Sequence, residues 1–369
     1  MNAAHQTIAA LLDPVLAAHP RTADLELTFE DITVAVTSNS PDLIARLAGY
    51  YRDFLGGGGA VRLTVTAIES APVALDLPFT VKAREPGKTK HKEAYVDLPD
   101  GRVVHKLLTG LVFFFGHGVN AALGPCLAND NQIINFINNR VLEVRLRAGD
   151  LLLHAAGVAE GERGLAIAGF SGAGKSTLAL QIMRHGTDFV SNDRIMVSRT
   201  ASGLTMRGLA KLPRVNPGTV LNNPSLAPVM DAAERQTFAA LPPAELWDLE
   251  HKYDASIDAC FGPGHFRLSC PMVGLAVLTW RREPAPLVCR VVALADHRAL
   301  LAAFMKDPGV FYDPDDPSEE AMAGPQAYLD RLGDLPVLEI TGGVDFEAAA
   351  RICLDFLRHP QALPGVGGA

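Results

Sequence analysis

The segment Gly169-Phe170-Ser171-Gly172-Ala173-Gly174-Lys175-Ser176-Thr177 constrains this chain more than any other, because a phosphate-binding loop works only between a strand and a helix. The apolar run Leu165-Ala166-Ile167-Ala168 predicts the strand, and Lys175 to Arg184 predicts the helix. A phosphate chain carries closely spaced negative oxygens, so the backbone around it must curl without bulky side chains in the way. Gly169, Gly172 and Gly174 meet that need, and the start of the helix adds a favourable field. Lys175 can offset charge near the β and γ phosphates, and Ser176 can offer an oxygen to magnesium. Phe170, Ser171, Ala173 and Thr177 complete the expected nucleotide-binding loop.

Asp193 follows the apolar approach Phe189-Val190 and precedes the strand-like run Ile195-Met196-Val197. A carboxylate at such a strand end is the expected partner of Ser176 on magnesium, with a helix cap or loop salt bridge as the alternative. Its neighbour Asn192 can orient water or a substrate, but it cannot abstract a proton as an aspartate would. His154 either approaches the phosphates from a neighbouring strand, as an acid, a base or an orienting group, or is a structural histidine. Leu204-Thr205-Met206 pairs with Ile195-Met196-Val197 across Ser202-Gly203, which points to a mixed sheet rather than an ordinary doubly wound one.

Residues His154 through Arg207 resemble the catalytic core of bacterial HPr kinase/phosphorylase. The whole chain most closely resembles the HPr kinase-related kinase B family, whose core is also similar to phosphoenolpyruvate carboxykinases. The resemblance implies an α/β protein, with a mixed-sheet P-loop kinase core of the HPr kinase/carboxykinase type and an additional N-terminal α/β domain. It implies a bacterial cytoplasmic ATP-dependent kinase, with ATP and Mg2+ as cofactors. His154 matches the catalytic histidine, Gly169 to Thr177 the phosphate loop, and Asp193 the second acidic position of the metal site. Asn192-Asp193 stands where the characterised enzyme has adjacent aspartates, and Thr205-Met206-Arg207-Gly208 where it has a Glu-Ile-Arg-Gly-like signature. The expected catalytic set is therefore His154, Lys175 and Arg207, with Ser176 and Asp193 on the metal. Arg207 either neutralises developing charge or ties its strand to a neighbour. The later segment with Trp247, Lys252-Tyr253-Asp254 and Asp258 either completes a nucleotide or substrate pocket or closes a polar part of the core.

Phosphoryl transfer to an unknown protein or small-molecule acceptor is the leading expectation. The alternative is a nucleotide-controlled protein-binding module with weak or absent kinase activity. A formal charge of −8 argues against a broad grip on nucleic acid. Leu107 to Phe115 is strongly apolar but broken by Thr109 and Gly110 and too short to span a bilayer, so no membrane association is expected. The first residues do not read as a signal peptide, and a cytoplasmic protein is the expectation. A homo-oligomer is compatible with the sequence. Cys126, Cys260, Cys270, Cys289 and Cys353 are dispersed and read as reduced, mostly buried thiols.

A chain of 369 residues, 48% of them hydrophobic, can bury two or three domains. Residues 1–140 read as an α/β accessory or substrate domain, 141–308 as the P-loop core, and 309–369 as an acidic loop and a strand-helix extension packed on that core. In the first domain, strands are expected at Leu25 to Phe29, Ile32 to Val36 and Val61 to Ile68, with helices over Pro41 to Phe54 and Asn131 to Leu142. Asp100-Gly101 predicts a hairpin, whose basic neighbourhood of Lys82, Arg84, Lys88, Lys90, His91 and Lys92 reads as a solvated rim or, less simply, an anionic partner surface. Asn135, Asn138 and Asn139 read as caps and interdomain hydrogen bonds before they read as a binding surface. Further on, Arg298 to Met305 and Phe346 to Phe356 are helix candidates, and Asp313 to Glu320 reads as a solvated acidic loop.

Overall fold

The computed structural model describes residues 6–84, 89–249, 251–312 and 323–360, which fall into two compact units. The first runs to Val144 and regains the chain from Pro308; the second runs from Arg145 to Asp307 and regains the chain after 322. The expected extension at 309–369 is thus shared between the units. Phe311 explains part of that division, because its ring lies 5.3 Å from Phe113 and 5.8 Å from Phe115 in the first unit. Lys88 and the acidic stretch Asp313 to Glu320 lie outside the described residues.

In the first unit, β1 (Ala23–Phe29), β2 (Ile32–Ser38), β3 (Val61–Glu69), β4 (Thr80–Val81), β5 (Glu93–Leu98), β6 (Gly101–Lys106), β7 (Val112–Gly116) and β8 (Val119–Gly124) form one sheet in the order β1-β2-β3-β8-β7-β6-β5-β4. Its helices are α1 (Ile8–Ala18), α2 (Pro41–Tyr50) and α3 (Asp130–Arg147), the unit boundary falling in the last turn of α3. The expected helix over Pro41 to Phe54 ends at Tyr50, and Arg52–Phe54 continues as a 3-10 turn.

Of the apolar run Leu107 to Phe115, Val112 to Phe115 lie in β7, buried on both faces, while Leu107 and Leu108 are exposed in the turn before it. Alternation along a strand sends Phe114 to the cluster containing Ile8 and Leu12 of α1, while Phe113 and Phe115 meet Phe136 of α3 at 4.8 and 6.1 Å. The Asp100-Gly101 hairpin forms between β5 and β6, and Asp100 also accepts the Ile8 backbone N–H at 2.7 Å. Asn138 is a core hydrogen-bonding residue: its Nδ2 donates to Tyr51 Oη at 2.9 Å and to Ile134 O at 3.0 Å. On the basic rim, Lys82 and Lys106 share Glu93.

The second unit contains β9 (Leu151–Leu153), β10 (Ala155–Glu160), β11 (Arg163–Gly169), β12 (Asp188–Ser191), β13 (Ile195–Thr200), β14 (Gly203–Arg207), β15 (Arg214–Val215), β16 (Tyr253–Asp254), β17 (Ser269–Leu278), β18 (Leu287–Val292) and β19 (Val337–Gly342). Its helices are α4 (Lys175–Met183), α5 (Pro217–Leu221), α6 (Ala232–Ala239), α7 (Pro243–Asp248), α8 (Ile257–Phe261), α9 (Pro325–Leu332) and α10 (Phe346–Arg358). Nine strands make one mixed sheet along β12-β10-β11-β17-β14-β13-β9, with β19 added to β17 and β18 to β19. The expected mixed α/β architecture is therefore present.

At the centre, β11, β17 and β19 run parallel, and such strands must be covered on both faces. Leu165, Ile167, Ala276 and Leu278 face Leu178 and Ile182 of α4 and Cys353 and Phe356 of α10. Ala166, Ala168, Leu275 and Val277 face the opposite cluster, with Leu301, Phe304, Tyr328 and Leu332. The helix expected at Arg298 to Met305 is a shorter 3-10 helix, Arg298–Ala303, in which Leu300 N–H reaches His297 O three residues back. All five cysteines are free, and burial pushes the Cys260 and Cys289 thiols up to about 11. Among the described residues, no helix is long and apolar enough to cross a membrane.

Arg358 at the end of α10 clasps Glu160 at the end of β10 through two hydrogen bonds of 2.8 and 2.7 Å. The Arg358 hydrogen bond holds this carboxyl below its ordinary 4.5, so its contribution is complete above that value and fades as pH falls through the lowered one. Both groups are partly solvated, and Glu160→Gln is expected to cost about 0.5 kcal/mol at neutral pH. Urea unfolding of both proteins across acid pH should show that gap closing; a gap independent of pH would contradict the assignment.

Candidate functional site: a glycine loop facing an aspartate-histidine pair

Parallel pairing brings Gly169 level with Leu278, and Leu278 level with Ile340, so β11, β17 and β19 end side by side. Such carboxyl ends are where open α/β sheets receive ligands. The loop after β11 turns through an Ala173 N–H bond to Phe170 O at 3.0 Å, and α4 opens with Leu178 N–H on Gly174 O at 2.8 Å. Gly172 and Gly174 occupy left-handed backbone, with φ of 80° and 91°.

Two aromatic residues from the neighbouring strand ends hold the loop. Trp280 Nε1 donates to Ala173 O at 2.8 Å, and a methyl group at Gly174 would stand 2.7 Å from the Phe346 ring. Within the loop, Lys175 is buried and donates to Gly169 O at 2.9 Å and Phe170 O at 3.4 Å. Burial foremost lowers its pKa to about 8, with Lys306 adding to the effect and Asp193 opposing it. Ser176 is half-buried in the first turn of α4, and the Thr177 hydroxyl meets that of Thr219 at 2.8 Å. Phe170 and Ser171 are exposed.

Asp193 sits in the tight turn between β12 and β13, closed by Ser191 Oγ donating to Arg194 O at 2.5 Å. Across β13, Ile195 is paired with Leu153, and Leu153 also bridges Met305. That arrangement brings His154 against Asp193, where Nε2 and Oδ1 are 3.0 Å apart. Burial works against ionisation of Asp193, but the His154 hydrogen bond and the charges of His154, Arg194 and Lys306 outweigh it and hold the carboxyl well below the usual range. Beside it, the amide oxygen of Asn192 is buried with no hydrogen-bond partner among the described residues.

Lys175, Asp193 and His154 are thus neighbours. Arg207 is placed differently: its guanidinium reaches Ser198 Oγ and lies 3.5 Å from Asp150, toward the far ends of β9 and β13 from His154 and Asp193. This is the strand-tying arrangement. Asp254 pairs with Arg214 at 3.3 Å, Tyr253 donates to Glu234 at 3.0 Å, and Lys252 is exposed. Trp247 faces Phe346 with centroids 6.2 Å apart. Lys306, Lys211, Trp280 and Phe346 were not expected at the site; Trp280 lies just past β17 and Phe346 opens α10, and neither position marks a site residue until the strand pairing is known.

The donor set suits a magnesium-nucleotide complex. Magnesium takes one or two protein oxygens and keeps phosphate and water for the rest, which fits one ionised carboxylate, Asp193, and the Ser176 hydroxyl. The positive-φ glycines and the start of α4 suit a phosphate chain. Among the described residues, no three or more His, Cys, Asp or Glu side chains gather to hold a metal.

Gly174→Ala combines a left-handed alanine with an overlap onto Phe346, and a loss of about 2 kcal/mol is expected. Equilibrium unfolding in urea measures it; an unchanged midpoint would show that the loop does not need this packing.

No family model matches the chain, and no curated protein matches it. Among solved structures it is similar to the Hpr(Ser) kinase/phosphatase from Coxiella burnetii at 12% identity, with a TM-score of 0.29 over 57% of this chain and 88% of that one. A likeness of that size marks a distant structural neighbour.

Proposed function

We propose that this protein carries out ATP- and magnesium-dependent phosphoryl transfer. The observation that carries the reading is the junction of β11, the glycine loop and α4, with buried Lys175 electrostatically coupled to the Asp193–His154 pair. Backbone N–H groups of residues 172–176 would hold the phosphates, and Lys175 would exchange its loop carbonyls for phosphate oxygens. Ser176 and Asp193 would hold magnesium, which when bound neutralises charge on the transferring group. Catalysis of this kind rests on position and electrostatics more than on covalent chemistry.

Asp193 Oδ1 engages His154 Nε2, which orients the ring. Asp193 keeps its second oxygen for the metal. The unpartnered Asn192 oxygen can accept a hydrogen bond from an acceptor hydroxyl or from water, orienting it without taking its proton. Arg207, engaged with Ser198 and Asp150, supports β14 in this reading and is not assigned to the reacting groups. The amide at Asn192, where a carboxylate would serve as base, is the observation favouring the second reading, a nucleotide-controlled protein-binding module without efficient transfer.

Labelled ATP incubated with a native lysate and either wild type or Lys175→Ala separates these readings. Wild type is expected to yield a labelled acceptor, and the variant to lose on the order of a hundredfold or more in transfer. Nucleotide binding without any labelled product selects the binding module, and unchanged affinity and transfer in Lys175→Ala would falsify the loop assignment. Asp193→Asn should raise the magnesium requirement for nucleotide turnover; an unaltered magnesium titration would remove Asp193 from the metal.

A further inference from the structure

The nine-stranded sheet of the second unit ends at β12, β9 and β18, and these ends are finished differently. Phe189 of β12 is bridged by Phe266, its N–H donating to His265 O and its carbonyl accepting the Arg267 N–H. Leu153 of β9 is bridged by Met305. Among the described residues, no bridge and no hydrogen bond covers the outer edge of β18. Val288 and Val291 stand on this strand with exposures of 44% and 42%, and its one charged residue, Arg290, is engaged by Glu339 at 2.7 Å. Folded proteins blunt such edges with lysine, proline or a bulge, because unpaired backbone groups recruit another strand. β18 carries none of these.

The pairings on its inner side fix which backbone groups face outward. The N–H groups of Leu275, Thr279 and Arg281 donate to Pro336 O, Ile340 O and Gly342 O, so even-numbered residues along β19 turn their backbone toward β17. The odd-numbered ones turn toward β18: Gly343 N–H donates to Pro286 O, and Val288 O accepts from Thr341 Oγ1. Alternation along an antiparallel ladder then makes Val288–Thr341, Arg290–Glu339 and Val292–Val337 the hydrogen-bonded pairs. The N–H and C=O of Leu287, Cys289 and Val291 are left on the open edge.

That set is its own complement. An antiparallel copy of β18, related by a twofold axis through Cys289, brings Leu287 opposite Val291 of the copy and Cys289 opposite Cys289. Each outward residue then meets an outward residue, and both backbone bonds of every such pair close. The same register sets Val288 opposite Arg290 of the second copy, so no like charges face each other. Centring the axis on Arg290 would oppose two guanidiniums, and centring it on Val288 would carry Val291 past the start of the strand. A shift of one residue would set paired side chains on opposite faces of the sheet. We infer that β18 is an interface between two copies of this chain, a twofold pair that continues the sheet through Cys289.

Sedimentation velocity over a range of protein concentrations tests this, and wild type is expected to dimerise. Val288→Lys sets a lysine opposite Arg290 of the other copy and should weaken the dimer by about tenfold or more, whereas Val288→Glu, which also removes the valine, should keep it. Val291→Pro removes an outward N–H, leaves the bonds to β19 in place and should give a monomer. In a Cys289→Ser background, an oxidised equimolar mixture of Val288→Cys and Arg290→Cys chains should form a disulfide-linked dimer, and neither chain alone should. A wild type that stays monomeric overturns the proposal, whether or not it takes up a strand from another protein. Equal weakening by Val288→Lys and Val288→Glu, or a dimer that both Val288→Lys and Val291→Pro leave intact, overturns the register. Where circular dichroism shows that a variant has unfolded, the cysteine mixture decides, and absence of the mixed disulfide sinks the interface.

Discussion

Parallel pairing of β17 with both β11 and β19 is the constraint on which the rest of the second unit depends. Parallel strands end at the same edge, so the glycine loop after β11 meets the segments that leave β17 and β19. Trp280 and Phe346 come from those segments and brace the loop at Ala173 and Gly174. The same strands are buried on both faces, which requires α4 and α10 on one side and, on the other, α9 with Tyr328 and the 3-10 helix that leads into Phe304. Loop position and core packing are consequences of one arrangement of backbone hydrogen bonds.

The opposite wall of the site has an independent origin. Antiparallel pairing of β13 with β9 and the bridge to Met305 assemble His154, Asp193, Arg194 and Lys306 from three stretches of chain. A carboxylate amid these cations stays ionised despite burial, and it shares in holding Lys175 charged against desolvation. The electrostatics therefore depend on sheet register. A one-residue slip of β13 would turn these side chains to the other face.

Much of the fold was legible because local rules were strong. Asp100-Gly101 between alternating strands specifies a hairpin, and it formed as read. Residues 111–115 were harder: a run apolar at every position has no period, and only the helices on both sides of the sheet explain Phe113, Phe114 and Phe115 together. Arg298 to Met305 carried helical spacing, yet it closed as a 3-10 turn where Phe304 O accepts the His154 N–H.

The glycine spacing and the strand-helix context were enough to specify a tight glycine loop between β11 and α4, because its backbone demands are local. Asp193 and His154 could be named from the sequence, but their 3.0 Å contact required β9 to lie against β13. Lys211, Lys306, Trp280 and Phe346 carried no local signal. Folding brought them to the site through pairings between strands distant in the chain, and such pairings are set by the burial of the whole sheet.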